Sequence, residues 1–340
     1  MDKFNNKTYF VGIDISKDHL DVSVLRKETV KKFEDKKVAN TVEGYEKMVE
    51  WLEQKKIPLD DCLFCMEHTG VYGLVLFAWL SCMQADFVVE PGLRIKKSIG
   101  MVRGKNDTID ARRIAEYAYI HRSKLEPFCM PATVLLQMKE LLTYRTFLVK
   151  TKISLKNTLK SHEKYQPICQ LNFIIEDIKR QIAEYEDRIA NMEKQIKELI
   201  FSNEEIARNF KLACSVKGIG LVIASFMIVT TNNFTSFQQA RKYACYCGIA
   251  PFEHSSGSSI KSRTKVSHLA NKRIKSLLAN AASIASCHDP ELRAYYHRKL
   301  MEGKTKLQVL NAISNKLVSR VFAVVNRQTP YVNIYTYNFA

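Results

Sequence analysis

Tyr9-Phe10-Val11-Gly12-Ile13-Asp14-Ile15 is the stretch on which the fold turns. It is almost continuously apolar, the pattern of a strand buried on both faces, yet it carries one carboxylate, Asp14. A buried carboxylate without a partner is costly, so Asp14 must pair with a cation or accept several hydrogen bonds. Outward from this stretch, His19 to Leu25 alternates Leu20, Val22 and Val24 against Asp21 and Ser23, as a half-buried strand should. A further extended segment falls near Val30 to Val38. Thr41 to Lys55 has helical spacing through Tyr45, Met48, Val49 and Leu52. Cys62 to Met66 reads as a second buried strand, Gly70 to Met83 suits a helix, and Ala85 to Val89 is a third apolar strand.

Strand, strand, strand, helix, strand, helix, strand is the element order of an RNase H-like fold, expected over residues 1–130. From Pro131 the character changes. Residues 132–163 hold no Gly or Pro and read as one long helix, with Lys139, Arg145, Lys150, Lys152, Lys156 and Lys160 along it; Pro167 interrupts. Ile175, Ile178, Ile182, Tyr185, Ile189, Met192, Ile196 and Leu199 then recur at steps of three and four, an a/d seam. The seam predicts a coiled coil over residues 131–205, with the preceding helix or with another subunit. An ordinary two-helix hairpin within one domain is the plainer alternative. Residues 206–340 read as mainly helical, with a loop near Pro251 to Ser259.

The 340 residues carry a formal net charge of +17 and are 46% apolar, so a sizeable core is expected, and polyanions are the natural partners. No signal peptide is visible at the N-terminus. The longest apolar run, Val71 to Met83, is short of the ~20 residues a membrane span needs. The nine cysteines form no framework and read as reduced cytosolic thiols. Cys62 and Cys65 lie three apart in a strand and point to opposite faces, which excludes a shared zinc. Cys245 and Cys247 lack a second pair.

The carboxylates carry the chemistry. Glu67 ends the second buried strand, in Cys65-Met66-Glu67-His68-Thr69-Gly70. Asp107 and Asp110 open a helix in Lys105-Asn106-Asp107-Thr108-Ile109-Asp110-Ala111-Arg112-Arg113, and their spacing puts both on one helical face. Alone, each has a structural reading: Asp14 capping a turn, Glu67 at a strand end on the surface, Asp107 as an N-cap. Together they form four hard oxygen donors of the kind that bind Mg²⁺ or Mn²⁺. Paired divalent ions can activate an attacking oxygen and stabilise a leaving one in phosphodiester displacement.

Gly12-Ile13-Asp14, Glu67-His68-Thr69-Gly70 and Lys105-Asn106-Asp107-Thr108-Ile109-Asp110-Ala111 resemble the three blocks of the DEDD transposases. These are insertion-sequence recombinases with a RuvC-like catalytic domain, related to the pilin-gene invertase. The resemblance covers roughly residues 8–330 and implies that Asp14, Glu67, Asp107 and Asp110 are the metal-binding tetrad. Val216-Lys217-Gly218-Ile219-Gly220 resembles the opening of the family's transposase domain; Gly-x-Gly before a helix can present amides to phosphate or simply turn between helices. Gly248-Ile249-Ala250-Pro251-Phe252-Glu253-His254-Ser255-Ser256-Gly257 follows, and the resemblance implies a DNA-linked serine nucleophile at Ser256, with Ser255 second. Without the resemblance this reads as a Ser/Gly-rich surface loop.

No acidic residue lies between Glu253 and Asp289, where Lys261, Arg263, Lys265, Lys272, Arg273 and Lys275 would gather phosphates. Lys105, Arg112 and Arg113 add to that set beside the acids. Val266-Ser267-His268-Leu269-Ala270-Asn271-Lys272-Arg273 departs from the family pattern, which has a basic residue and glycine before the asparagine. The resemblance further implies double-stranded donor and target DNA, an element-encoded guide RNA along the basic helix 139–160, and a bacterial cytoplasmic, nucleoid-associated location. A homodimer or homotetramer is expected, and no membrane partner.

Other readings are a metal-dependent hydrolase of branched DNA without a covalent serine, and a non-catalytic RNA- or DNA-binding protein. An actin-like ATPase also opens with Gly-Ile-Asp but needs glycine-rich phosphate loops, which these 12 glycines do not form.

Overall fold

The computed structural model describes residues 3–29, 32–68, 70–99, 106–169, 172–256, 260–266 and 270–332. The chain divides into two compact units, Met1–Met130 and Pro131–Ala340.

The first unit is built on a five-stranded sheet. Its strands are β1 (Tyr9–Ile15), β2 (His19–Arg26), β3 (Phe33–Ala39), β4 (Cys62–Glu67) and β5 (Phe87–Glu90), in the order β3-β2-β1-β4-β5. β1, β2 and β3 form an antiparallel meander, whereas β4 and β5 join β1 in parallel. The parallel joins need crossovers, supplied by α1 (Val42–Gln54) and α2 (Leu74–Cys82). Thr41 starts α1 by accepting the Gly44 N–H at 3.3 Å. α2 begins four residues later than the apolar pattern suggests, because Gly70 adopts φ +71° in the turn before it. α3 (Gly92–Ile99) was not anticipated from the sequence; α4 (Asp107–His121) was.

α1 and α2 pack on one sheet face, against Val11, Ile13, Val22, Val24, Phe64 and Met66. α4 packs on the other, against Phe10, Leu25, Leu63 and Cys65. It sits so close that a Cβ on Gly12 would stand 2.1 Å from the Ala111 carbonyl oxygen and 2.3 Å from the Ala115 nitrogen. β2 is therefore buried on both faces, not half-buried: Asp21 and Ser23 lie under α4. Cys62 and Cys65 fall in the two separate cores, as their spacing on a strand requires.

The second unit opens with α5 (Thr133–Cys169) and α6 (Asn172–Phe201). α5 runs through Pro167 and ends two residues later, so the interruption falls beyond the proline. Ile175, Ile178, Ile182, Ile189 and Ile196 of the seam are buried. Ion pairs Arg145–Glu193, Lys156–Glu186 and Lys179–Glu163 tie α6 to α5 in antiparallel order. The seam is thus covered by the preceding helix of the same chain.

Helices α7 (Glu204–Cys214), α8 (Leu221–Thr230), α9 (Ala240–Tyr246), α10 (Lys272–His288), α11 (Pro290–Met301) and α12 (Lys306–Arg327) complete the unit. They enclose an apolar core of Leu212, Tyr243, Leu278, Ile313 and Phe322 among others. Gly218, at φ +94°, packs in the α7–α8 turn with its would-be Cβ 2.9 Å from the Ala281 carbonyl oxygen. Gly220 caps α8 with open space beside it.

The segment expected to be a loop from Pro251 is instead an antiparallel hairpin, β6 (Pro251–Ser256) with β7 (Ile260–Val266). Backbone pairing can satisfy amides and carbonyls whatever the side chains, so a polar, serine-rich composition concealed the strands. Asn271, in the stretch that departs from the family pattern, caps α10 by accepting the N–H groups of Arg273 and Ile274. Among the described residues, no helix is long and apolar enough to cross a membrane.

Candidate active site

The register of the first sheet sets acidic side chains side by side. Asp14 pairs across the antiparallel ladder with Asp21, and Asp21 with Lys37. On the parallel side, Glu67 pairs with Glu90, and Glu67 follows directly after the matched residues Ile13 and Met66. Because side chains alternate along strands, Lys37, Asp21, Asp14, Glu67 and Glu90 form one row. The row shares the face of Gly12, which α4 covers, and lies at the end of the sheet where α4 begins.

The two outer acids of this row are neutralised. Asp21 is 7% exposed, meets Lys37 Nζ at 3.3 Å and accepts a hydrogen bond from Thr108 Oγ1 at 3.4 Å. Glu90, also buried, meets Arg94 Nη1 at 2.9 Å and accepts from the Tyr117 hydroxyl at 3.2 Å. The two inner acids, Asp14 and Glu67, have no hydrogen bond or ion pair among the described residues. Glu67 lies across Gly92, the first residue of α3, where a Cβ would come within 1.6 Å of its Oε1. A side chain at position 92 would displace the carboxylate.

α4 brings two more acids. Asn106 is its N-cap, its side chain accepting the Thr108 N–H, so Asp107 is the first helical residue and not the cap. Asp110 follows one turn on and meets Arg113 Nη1 at 2.8 Å. The helix N-terminus favours negative charge there. Asp14 registers the whole assembly: its carboxyl is pushed up to about 6, first by burial, then by the charges of Asp107, Asp110, Glu67 and Asp21. The acids are near enough to repel. Among the described residues, no three carboxylates, imidazoles or thiols are yet gathered as metal ligands. Unpaired oxygen donors around an acid that resists ionising are a donor set suited to a hard divalent cation.

Sequence reasoning named Asp14, Glu67, Asp107 and Asp110 as candidates and did not name Asp21, Glu90, Thr108 and Gly92, which stand beside them. Only Gly92 left a readable signal, a Pro-Gly pair directly after the third parallel-sheet strand.

The cations expected to meet nucleic acid divide into engaged and free. Arg112 is held by Asp35 through two 3.1 Å bonds from its Nε, and Arg113 by Asp110. Arg145, Lys152 and Lys156 are paired to Glu193 and Glu186 of α6. Arg273 donates to the Leu142 carbonyl oxygen at 2.8 Å and lies 4.2 Å from the centre of the Phe226 ring; burial, then Arg145, pushes its pKa down to about 10. Lys150, Lys160 and Lys272 are exposed, Lys139 and Lys275 half-buried, and none of these five has a carboxylate partner among the described residues. Lys105 lies outside the described residues, as do the side chains of Lys261, Arg263, Lys265, Ser255 and Ser256. In the hairpin backbone, Ser256 ends β6 opposite Ile260, and Ser255 stands opposite Lys261.

Residues 11–164 match the model of a DEDD transposase family, described as a transposase, and residues 211–297 match that of the transposase IS116/IS110/IS902 family. The pilin gene-inverting protein of Moraxella bovis is 27% identical over 338 residues, covering 96% of this chain and 98% of its own length. An insertion element IS110 43.6 kDa protein of Streptomyces coelicolor is 33% identical over 117 residues, 34% of this chain and 29% of its own. A probable family 20 transposase of Pseudomonas aeruginosa is 23% identical over 182 residues, 53% of this chain and 52% of its own. A mixed α/β unit with acids at the sheet end, followed by a mostly helical unit, is thus the frame of an enzyme of DNA recombination. The chain belongs to the IS110/IS116/IS902 family of transposases.

Proposed function

We propose that the chain cuts and rejoins DNA strands with Asp14, Glu67, Asp107 and Asp110 as a metal-binding tetrad and Ser256 as the nucleophile. The observation that carries this reading is the acidic row, its outer members neutralised and its inner members left bare beside Asp107 and Asp110. A sheet evolved only for stability would not leave its central carboxylates without partners. The strand order β3-β2-β1-β4-β5 supports the RNase H-like, RuvC-like assignment of residues 1–130. The buried isoleucine seam supports a coiled coil over 131–205, leaving 206–340 as the helical transposase domain.

Bound Mg²⁺ or Mn²⁺ would supply Lewis-acid stabilisation of phosphate charge and lower the pKa of an attacking hydroxyl. The chain's own residues do the rest. The Ser256 oxygen forms a bond to phosphorus as one DNA ester oxygen departs, and the serine proton passes to a base. A hydroxyl of the second DNA strand then reverses the exchange. Each bond broken is replaced by a like phosphoester, so no nucleotide cofactor is consumed. Arg113 holds Asp110 and must release it for Asp110 to join the metal. In this reading double-stranded donor and target DNA are the substrates and an element-encoded RNA is the guide. Lys139, Lys150 and Lys160 of α5, with Lys272, Lys275 and the β7 cations Lys261, Arg263 and Lys265, contact phosphate. The protein works in the cytoplasm at the nucleoid, as a homodimer or homotetramer.

The test is co-expression with the flanking element, nuclease digestion and mass spectrometry of the peptides. A nucleotide adduct on the peptide holding Ser255 and Ser256, lost in Asp14→Asn, is the expected result. Metal-dependent breakage with no adduct would move the reading to a branched-DNA hydrolase; binding without breakage when Mg²⁺ and the flanking element are both present would move it to a non-catalytic binder.

A further inference from the structure

The C-terminal unit contains a cavity of about 1320 Å³ between α10, α11, α12 and the first residue of β6. Its lining is strongly biased in charge. Lys275, Lys299, Lys304, Lys316 and Arg320 reach it, and among the described residues no carboxylate does. Two of these cations are already committed: Lys299 to Glu302, and Arg320 to Asp289 and Glu291. Lys275, Lys304 and Lys316 form no ion pair among the described residues, though the charge of Lys304 is close enough to Glu302 to help hold that carboxyl below its usual range. Apolar groups share the same wall. Leu307, in the first turn of α12, is 79% exposed, and Ile249, Ala279 and Leu310 lie with it. The Tyr295 ring has Lys316 Nζ at 4.8 Å from its centre.

Three ammonium groups outside any ion pair, around a concave hollow, favour the entry of an anion. The volume exceeds the ~300–1,000 Å³ of small-molecule sites, which leaves room for an extended anion. A duplex offers phosphate but keeps its base faces stacked inside, leaving exposed leucine and tyrosine without a partner. An unpaired strand offers both phosphate and free base faces, the combination that lysines and apolar or aromatic platforms accept.

We propose that this cavity is a binding site for an unpaired nucleic-acid strand. Lys275, Lys304 and Lys316 take its phosphates, and Leu307 and Tyr295 take a base face. The inference deepens the recombinase reading, since strand exchange requires DNA or RNA that is transiently unpaired. Pro251 on the cavity rim opens β6, and Ser256 follows five residues later, at most roughly 17 Å along an extended chain. A strand held here can run on toward the hairpin.

The experiment is fluorescence anisotropy on the full chain in EDTA. The probes are a labelled single-stranded DNA 12-mer, its RNA counterpart and the corresponding duplex. Lys304→Gln combined with Lys316→Gln is expected to weaken single-strand binding about tenfold and to flatten the dependence of log K on log salt by roughly 1.4. Leu307→Ser, at an exposed position where folding is safe, is expected to weaken it about fivefold or more with the salt slope unchanged. Duplex binding should change less than threefold. The stronger of the DNA and RNA effects identifies the source of the strand. Unchanged single-strand affinity in these variants, an equal loss for duplex, or no single-strand binding by the parent chain would each overturn the proposal. Because metal is chelated, a failure of the tetrad or of Ser256 in the adduct experiment leaves this result standing, and the reverse holds too.

Discussion

The two faces of the five-stranded sheet obey different rules. Under α1 and α2 the strands are apolar to their ends: Ile13 and Ile15 of β1, Leu20 and Val22 of β2 and Met66 of β4 all enter one core. Under α4 the same strands carry Asp14, Asp21, Glu67 and Glu90 at that end. Strand, register and twist are shared, so the fold did not demand the acids. Burying an apolar side chain there would contribute about 1.5–3 kcal/mol, which the α4 face forgoes. Two of the four acids, Asp21 and Glu90, are ion-paired to Lys37 and Arg94, and the unpaired two, Asp14 and Glu67, lie where Asp107 and Asp110 begin α4.

The largest expected effect comes from prising α4 off its face. In Gly12→Ala the new methyl would meet backbone atoms at 2.1 and 2.3 Å, which cannot rotate away, so α4 must lift. Thermal denaturation should show a loss of about 3 kcal/mol. Recombination should fall about 100-fold, because Asp107 and Asp110 move with the helix. Ile13→Val, one residue along on the opposite face, should cost only about 1 kcal/mol and leave the reaction rate near normal. Similar losses of activity in the two variants would end the distinction between the faces.

A smaller effect of opposite sign is expected at Asp14. Its carboxyl titrates near 3.8 unfolded and about 6 folded, so the folded chain holds the extra proton between those values. Stability from this group is therefore greatest below about pH 4 and falls as pH rises through 6. Metal-free Asp14→Asn should be more stable than the parent at pH 7.5, by about 1–2 kcal/mol after solvent screening, with no gain at pH 3.5. Saturating Mg²⁺ should stabilise the parent and not the variant. A variant that is less stable than the metal-free parent at pH 7.5 would show that Asp14 is a structural acid.

The central part of this site was legible because carboxylates inside apolar runs stand out. Asp14 and Glu67 sit in β1 and β4, whose other residues are almost all buried. Asp21 was not legible. The alternation of Leu20, Val22 and Val24 with Asp21 and Ser23 assigns the polar residues to solvent, and only α4, arriving some 85 residues later, buries them. Gly12 shows the same dependence: in sequence it is one small residue in a strand, whereas its role is the approach of a distant helix. The hairpin at Pro251–Val266 was hidden for another reason, since its pairing lies in the backbone. The seam of α6 was plain, but its partner helix was not. Periodicity gives a buried face without saying what covers it, and the ion pairs with α5 are what settle it.

The smallest expected difference separates two cations that composition treats alike. Arg112 on α4 is bound bidentately to Asp35 of β3, whereas Lys150 on α5 is exposed and unpartnered among the described residues. A guanidinium already neutralised by a fixed carboxylate releases few counterions when phosphate approaches, because the pair must first be broken. Arg112→Gln should therefore leave the salt slope of nucleic-acid binding unchanged and cost no more than about 1 kcal/mol of stability. Lys150→Gln should do the reverse, reducing the slope by roughly 0.7–0.9 with no change in melting temperature. Salt titrations of both variants against the parent decide the matter. If Arg112→Gln shows the larger change in slope, the Asp35 pair opens on binding and the α4 face takes part in holding phosphate.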